Sequence, residues 1–135
     1  MTEMKAKFTK MIDGTAEDWS IIAESNISES ADLPFKILDH LKMLGEDYGG
    51  FAVDRLTHSI QTASRAHRDG MDDEYVVCAL LHDIGDNLAP SNHADFAATL
   101  LQPFVSEKNI FLISIFFNLS KFCSDLENVY FFSFD

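Results

Sequence analysis

An adjacent histidine and aspartate, His82 and Asp83, follow an almost entirely apolar run at residues 76–81. Such a run is typical of a helix buried on most sides, so an imidazole and a carboxylate are expected at the end of a buried element. Because an unpaired buried charge is costly, each group needs a partner. Two interpretations provide one: a hydrogen-bonded His–Asp pair, or a metal ion held by the ring nitrogen and the carboxylate oxygens.

A third candidate ligand, His58, lies on the preceding helical segment. Two antiparallel helical stretches of about 11 residues joined by a short turn bring positions 58 and 82 to the same level. A single histidine in an apolar helix is commonly a core residue. Three ligand-type residues that meet at one level favour a shared metal site instead.

The segments around these residues carry the helical signals that must position them. Apolar side chains recur at helical spacing, Thr15, Asp32 and Asp72 are typical N-terminal caps, and Gly45 and Gly70 are typical helix ends. No segment before residue 104 alternates as a strand does, so we predict an all-α helical bundle of about five helices. The polar stretch 25–30 is expected to be a loop. The predicted helices span residues 15–24, 32–44, 52–68, 72–85 and 92–101.

The chain has 135 residues, of which 22 are acidic and 10 basic, giving a net charge of −12. A field of this sign repels phosphate backbones and anionic lipid surfaces, so neither nucleic acid nor a membrane is expected as a partner. A small-molecule substrate at a metal centre is compatible with it. Cys78 and Cys123 indicate no disulfide framework, so we expect a buried thiol at Cys78 and a reducing, cytoplasmic location.

Two stretches together resemble the HD-domain superfamily, which is named for its adjacent His–Asp metal ligands. They are Arg55-Leu-Thr-His-Ser-Ile-Gln-Thr-Ala-Ser-Arg65 and Ala79-Leu-Leu-His-Asp-Ile-Gly85, and the resemblance covers about residues 48–105. It implies a helical bundle in which His58, His82 and Asp83 bind metal. Members are usually metal-dependent phosphohydrolases, and a smaller branch holds two irons and oxygenates small substrates.

Three further residues bear on the branch of the superfamily. Gln61 completes a His-x-x-Gln-x-Ala pattern that resembles the oxygenases. Tyr48 matches a tyrosine that gates the vacant iron position there, and a loop aromatic packed on the bundle is the alternative. Asp86 stands where many members carry a substrate-contacting histidine or lysine. A carboxylate there repels a phosphate or phosphonate, so either the substrate is neutral or cationic or Asp86 points to water.

His93 is similar in position to a histidine that binds the second ion in the two-metal oxygenases; a surface histidine at a helix start is the alternative. The resemblance therefore implies a divalent metal cofactor, with two iron ions in the full site and manganese or another transition metal as the alternative. The superfamily's late aspartate has no clear counterpart, since Asp125 lies in a different context and Asp135 is the last residue. We therefore expect an incomplete site.

The segment 110–135 is rich in phenylalanine and has weak helical periodicity. We expect an HD-type domain over residues 1–109 and an atypical tail over 110–135, truncated or frame-shifted relative to the superfamily. Exposed phenylalanines in this tail favour either a truncated chain without enzyme activity or an oligomeric contact. A terminal helix followed by a poorly ordered end is the alternative.

Three functions are open at this point. We favour a di-iron oxygenase that acts on a small polar substrate. A metal-dependent phosphohydrolase uses the same ligands to lower the pKa of a bound water. The third alternative is a truncated chain that has no activity and only packs as a helical module.

Overall fold

A computed structural model describes the backbone of residues 4–122 and the side chains of residues 4–115. Within this part of the chain the structure is all-helical and contains no strand, which confirms the predicted all-α class. None of the described helices is both long and apolar enough to cross a membrane. The elements are a short 3-10 helix, Met11–Asp13, and six α-helices: α1 (Ala16–Ala31), α2 (Leu33–Lys42), α3 (Arg55–Arg68), α4 (Asp73–Leu81), α5 (His93–Leu101) and α6 (Glu107–Phe122).

The chain divides between Asp39 and His40 into two compact units. In the first unit, Thr15 and Asp18 form a capping box at the start of α1, as their spacing predicts. The Thr15 hydroxyl accepts from the Asp18 backbone N–H at 3.2 Å, and an Asp18 carboxylate oxygen accepts from the Thr15 N–H at 3.0 Å. This reciprocal pair satisfies two backbone donors that a helix start otherwise leaves exposed.

The predicted loop at residues 25–30 is wrong, because α1 continues without a break to Ala31. The segment contains serines, an asparagine and glutamates, but no glycine or proline. Such polar residues lower helix propensity only modestly once a helix has been nucleated. The Ser30 hydroxyl even donates to the Asn26 carbonyl oxygen at 2.8 Å, within the helix itself.

In the second unit, α3 and α4 pack together as an antiparallel pair joined by a short turn. Asp54 caps α3 by accepting from the Thr57 backbone N–H at 2.6 Å. Asp72 caps α4 by accepting from the Tyr75 backbone N–H at 2.8 Å, as predicted. Gly70 lies just after the end of α3, and its φ of 75° is a backbone conformation that favours glycine. The start of α3 therefore lies beside the end of α4, and these two ends carry the candidate ligands.

Helices α5 and α6 pack against each other, and α6 also contacts α4. Glu74 of α4 fixes the start of α6, since its Oε1 accepts from the Ser106 backbone N–H at 2.6 Å and from Asn109 Nδ2 at 2.7 Å. Alanines at helical spacing let α5 approach its neighbours closely. The buried apolar side chains of this unit are Leu41, Leu44, Ala63, Ala66, Cys78, Ala79, Leu81, Ile84, Ala94, Ala97, Ala98, Leu101 and Ile113.

Several predicted boundaries differ from the structure: α2 ends at Lys42 and not at residue 44, and α3 begins at Arg55 and not at residue 52. Helix α4 ends at Leu81, before the predicted residue 85, and residues 82–88 form consecutive turns. Glycine and aspartate are weak helix formers, and the turn is closed instead by the hydrogen bond from the Asp86 N–H to the Asp83 carbonyl at 3.0 Å. Helix α6 runs through residue 110, where the predicted tail begins. Residues 123–135 lie outside the described residues, and the domain boundary at 109/110 stays a prediction.

Candidate metal centre

The three residues His58, His82 and Asp83 meet where α3 begins and α4 ends. Asp54 is the N-terminal cap of α3, and its carbonyl oxygen accepts a hydrogen bond from the backbone N–H of His58 at 2.9 Å. His82 is the C-terminal cap residue of α4, and Asp83 opens the turn that follows. All three side chains are partly buried, with exposed fractions of 21%, 12% and 17%. Their positions on the hairpin agree with the predicted 58–82 alignment.

The ligand-type atoms of this triad converge on one point. His58 Nε2 lies 3.3 Å from His82 Nε2 and 3.4 Å from Asp83 Oδ2. His82 Nε2 lies 3.1 Å from the same carboxylate oxygen. The three atoms form a group that can hold a metal ion, since all lie within 4.8 Å of one another. Two imidazoles and a carboxylate are a ligand set that suits first-row transition metals.

A backbone hydrogen bond on the side away from the triad fixes the orientation of the His82 ring. Its Nδ1 lies 2.8 Å from the Ala79 carbonyl oxygen, which can only accept a hydrogen bond. The neutral ring therefore carries its proton on Nδ1 and has a lone pair on Nε2, directed towards His58 and Asp83. Metal-binding histidines commonly donate their other ring N–H to a backbone carbonyl in this way, which fixes both tautomer and orientation.

Electrostatics favour the metal-binding form of the carboxylate. Burial opposes ionisation of Asp83, but the hydrogen bond and charge of His82 and the charges of His93 and His58 lower its pKa overall. Burial and the neighbouring His82 ring lower the pKa of His58. Burial also acts to lower the pKa of His82, but the hydrogen bond and charge of Asp83 raise it overall. Asp83 is therefore ionised at neutral pH, and His58 offers a neutral nitrogen.

The fourth predicted ligand, His93, lies on the other side of the same carboxylate. It is the first residue of α5, is 16% exposed, and has its Nε2 3.3 Å from Asp83 Oδ1. Its Nδ1 lies 3.2 Å from Asp86 Oδ1 and 3.3 Å from the Pro90 carbonyl oxygen. The two oxygens of Asp83 therefore face different histidines, as in a carboxylate that bridges two sites.

Asp86 lies in the turn between these ligands and is buried, with an exposed fraction of 7%. The alternative that it points to water is therefore wrong, and the reason is an ion pair with Arg55. Arg55 is therefore a residue of this site that was not predicted from the sequence. Its charge partner comes from a different element, so no spacing rule links the two positions.

A cavity of about 70 Å³ opens beside the triad. His58, Asp83 and Arg55 line one part, and Phe51 and Val53 of the loop before α3 line the rest. Two of the three candidate ligands, His58 and Asp83, thus border a space that can receive a small molecule. Apolar lining residues in an irregular loop give no periodic signal, so the sequence does not reveal this wall.

The other predicted residues lie outside this cluster. Tyr48 is on the loop before α3, is 49% exposed, and is not among the residues that line the cavity, so its predicted role stays a prediction. Gln61 is exposed on α3. His40 is half-buried, and its Nε2 donates to the Ile84 carbonyl oxygen at 3.1 Å, which steadies the turn that follows Asp83. Cys78 is buried, as predicted, and Cys123 lies outside the described residues.

Comparison with protein-family models, with curated proteins and with solved structures finds no match to this chain. The fold class and the candidate site are therefore assigned only from the residues of this chain and their geometry. They define an all-helical protein with a His–His–Asp cluster that can hold a metal ion.

Proposed function

We propose that this protein is a metal-dependent enzyme of the HD type, in which His58, His82 and Asp83 hold a transition-metal ion. One observation carries the proposal: two Nε2 atoms and a carboxylate oxygen from the ends of two helices converge within 3.4 Å. The notable sequence feature is that the three residues resemble the His and His–Asp ligands of that superfamily. The resemblance supports the proposal and the geometry supplies its physical basis.

A metal ion can satisfy all three atoms of the triad at once, which a single proton on His82 cannot do. With its proton on Nδ1, His82 directs a lone pair at an ionised carboxylate oxygen 3.1 Å away and at His58 Nε2 3.3 Å away. A single proton on His82 Nε2 makes one good hydrogen bond and leaves the other acceptor with a poor one. A metal ion accepts a lone pair from each of the three atoms at once.

The surroundings of the triad fit a catalytic centre better than a structural one. Structural metal sites are usually closed by four protein ligands, whereas catalytic sites keep a position for water or substrate. Among the described residues the group has three members, and His58 and Asp83 also line the cavity. A substrate in this cavity would lie beside His58 and Asp83.

His93 supports a site for two ions. Its Nε2 and the two histidines of the triad lie on opposite oxygens of Asp83, so the carboxylate is placed to bridge. Of the superfamily's branches, a carboxylate-bridged pair with an added histidine is typical of the di-iron oxygenases. We therefore favour iron and oxygenation of a small polar substrate, with the bound metal supplying Lewis-acid and redox chemistry.

The charge of the cavity wall favours the oxygenase over the phosphohydrolase alternative. Arg55 is the only permanent cation among the lining residues, and a phosphate substrate would be expected to use it. Asp86 pairs with its guanidinium, and Asp47 Oδ2 lies 3.2 Å from its Nε. Two carboxylates therefore neutralise the one positive charge of this wall, which favours a substrate without a phosphate group.

Metal content tests the proposal. The chain would be produced anaerobically with iron and manganese supplied, and bound metals counted per chain by mass spectrometry. His82→Ala and His93→Ala would be compared with His67→Ala, a control at an exposed histidine of α3. We expect iron in the parent and control chains, loss of both ions in His82→Ala, and loss of half in His93→Ala.

Equal metal content in the control and His82→Ala would refute the proposed ligands. A single ion that does not depend on His93 would instead support the hydrolase alternative. A chain that binds no metal in any version would leave only the inactive helical module.

A further inference from the structure

A chain of charged side chains connects the cavity wall to His93. Arg55, the first residue of α3, pairs with Asp86, and Asp86 Oδ1 lies 3.2 Å from His93 Nδ1. His93 Nε2 in turn lies 3.3 Å from Asp83 Oδ1. The series Arg55–Asp86–His93–Asp83 therefore crosses three elements: the start of α3, the turn after α4, and the start of α5.

Arg55 is held in place independently of this series. Its Nε lies 3.2 Å from Asp47 Oδ2, an ion pair that lacks hydrogen-bond alignment. Its guanidinium also packs against Gly49, where a Cβ atom would collide with it. Because Arg55 is fixed on two sides, its pairing with Asp86 fixes the Asp86 carboxylate as well, and that carboxylate is only 7% exposed.

The Asp86 carboxylate determines which ring nitrogen of His93 carries the proton. Two acceptors lie near His93 Nδ1, the Asp86 carboxylate and the Pro90 carbonyl oxygen. Nε2 faces Asp83 Oδ1, so a neutral ring that binds a metal ion through Nε2 must keep its proton on Nδ1, where these acceptors hold it. A carboxylate behind a histidine is a common arrangement for orienting a metal ligand and making it more basic.

We propose that Asp86, anchored by Arg55, is a positioning residue that orients His93 as the ligand of the second metal ion. The inference rests on the proposed metal centre and assigns Asp86 a role other than contact with substrate. It also assigns Arg55 to the support of a ligand, in place of substrate binding.

Asp86→Asn tests this because an amide cannot replace a carboxylate here. An asparagine has one acceptor oxygen and one donor NH₂ group, and the permanent cation Arg55 takes the oxygen. The NH₂ group then faces His93 Nδ1, which favours the tautomer with its proton on Nε2. That tautomer has no lone pair on Nε2, the nitrogen that faces Asp83, so metal binding there requires the less favoured tautomer. Asp47→Asn is the matched control, because it removes a carboxylate that makes no aligned hydrogen bond to Arg55, leaves the guanidinium packed against Gly49 and paired with Asp86, and touches no proposed ligand.

The experiment is a calorimetric titration of the chain with Mn²⁺, with electron paramagnetic resonance to detect the spin-coupled pair. We expect two binding steps in the parent chain and in Asp47→Asn. In Asp86→Asn the second step should weaken by about 10- to 100-fold and the coupled signal should disappear, with the first step nearly unchanged. The double variant Arg55→Met/Asp86→Ala removes the buried Asp86 carboxylate together with its cation and leaves only the more exposed Asp47 carboxylate. It should also lose the second step and serves if Asp86→Asn does not fold.

Several results would overturn the inference. An unchanged second step in Asp86→Asn or in the double variant would show that Asp86 does not position His93. Equal weakening of both steps in Asp86→Asn and Asp47→Asn would show a general effect on stability. A parent chain that binds one Mn²⁺ would refute the second ion but leave the proposed triad intact, whereas a chain that binds none would refute both.

Discussion

Gly85, in the turn that follows the ligands, is a position at which one methyl group should have a measurable cost. An ideal Cβ atom there would lie 2.7 Å from Cγ and Cδ1 of Phe96 and 2.8 Å from its Cβ, closer than non-bonded carbon atoms approach. The φ of Gly85 is not in the left-handed region, so the backbone itself accepts alanine. We expect Gly85→Ala to destabilise the chain by about 1–3 kcal/mol through overpacking against α5.

Urea unfolding of a double-mutant cycle measures this effect. Phe96→Ala removes Cγ and Cδ1, the two atoms that a residue-85 methyl group would meet at 2.7 Å. The combined variant should therefore cost less than the sum of the single variants. The coupling should be about 0.5–3 kcal/mol, the range for residues in contact. A Gly85→Ala variant as stable as the parent, or a cycle in which the two costs simply add, would refute the proposed contact between this turn and α5.

Three further predictions concern other parts of the second unit. Burial raises the pKa of Cys78 to about 11, so its thiol should react with a thiol reagent only at the rate of local opening at pH 8, and fast labelling of the native chain would contradict this. Gly49→Ala should destabilise the chain, because Gly49 has a φ of 51° and its Cβ would meet Arg55; unchanged urea unfolding would refute this. Hydrogen bonds from Ser106 lower the pKa of Glu74 from 4.5, so its contribution to stability is present above that pH and is lost as the pH falls through the folded value. The difference in unfolding free energy between the parent and Glu74→Gln should therefore shrink in acid, and a difference independent of pH would contradict this assignment.

The parts of the fold that depend on local signals could be predicted from the sequence. The caps Thr15 and Asp72 and the helix end at Gly70 each act within one turn, so the residue type alone indicates the structure. The alignment of His58 with His82 follows from helix rise and the length of the hairpin, which are also local quantities. The prediction of a loop at residues 25–30 was wrong because the strong cap at Thr15 nucleates a helix that continues through these polar residues.

The parts that depend on contacts between distant elements could not be predicted. Arg55 and Asp86 have no regular spacing, and their ion pair exists only because α3 and the turn after α4 lie side by side. The apolar wall from Phe51 and Val53 belongs to an irregular loop, where no periodic pattern indicates burial. This ion pair also changes the role expected for Asp86, because the sequence alone does not show that its carboxylate has a cationic partner.

The most direct test of the metal centre is to detect histidine nitrogen bound to the ion. With a net charge of −12, the chain will attract divalent cations to many acidic groups, so binding alone is ambiguous. Chain labelled with ¹⁵N-histidine and loaded with one equivalent of Mn²⁺ would be measured by pulsed electron paramagnetic resonance. We predict coupling to two directly bound imidazole nitrogens, reduced to one in His58→Ala and kept in His67→Ala. A bound ion without any histidine coupling would contradict the assignment of His58, His82 and Asp83 as a metal site.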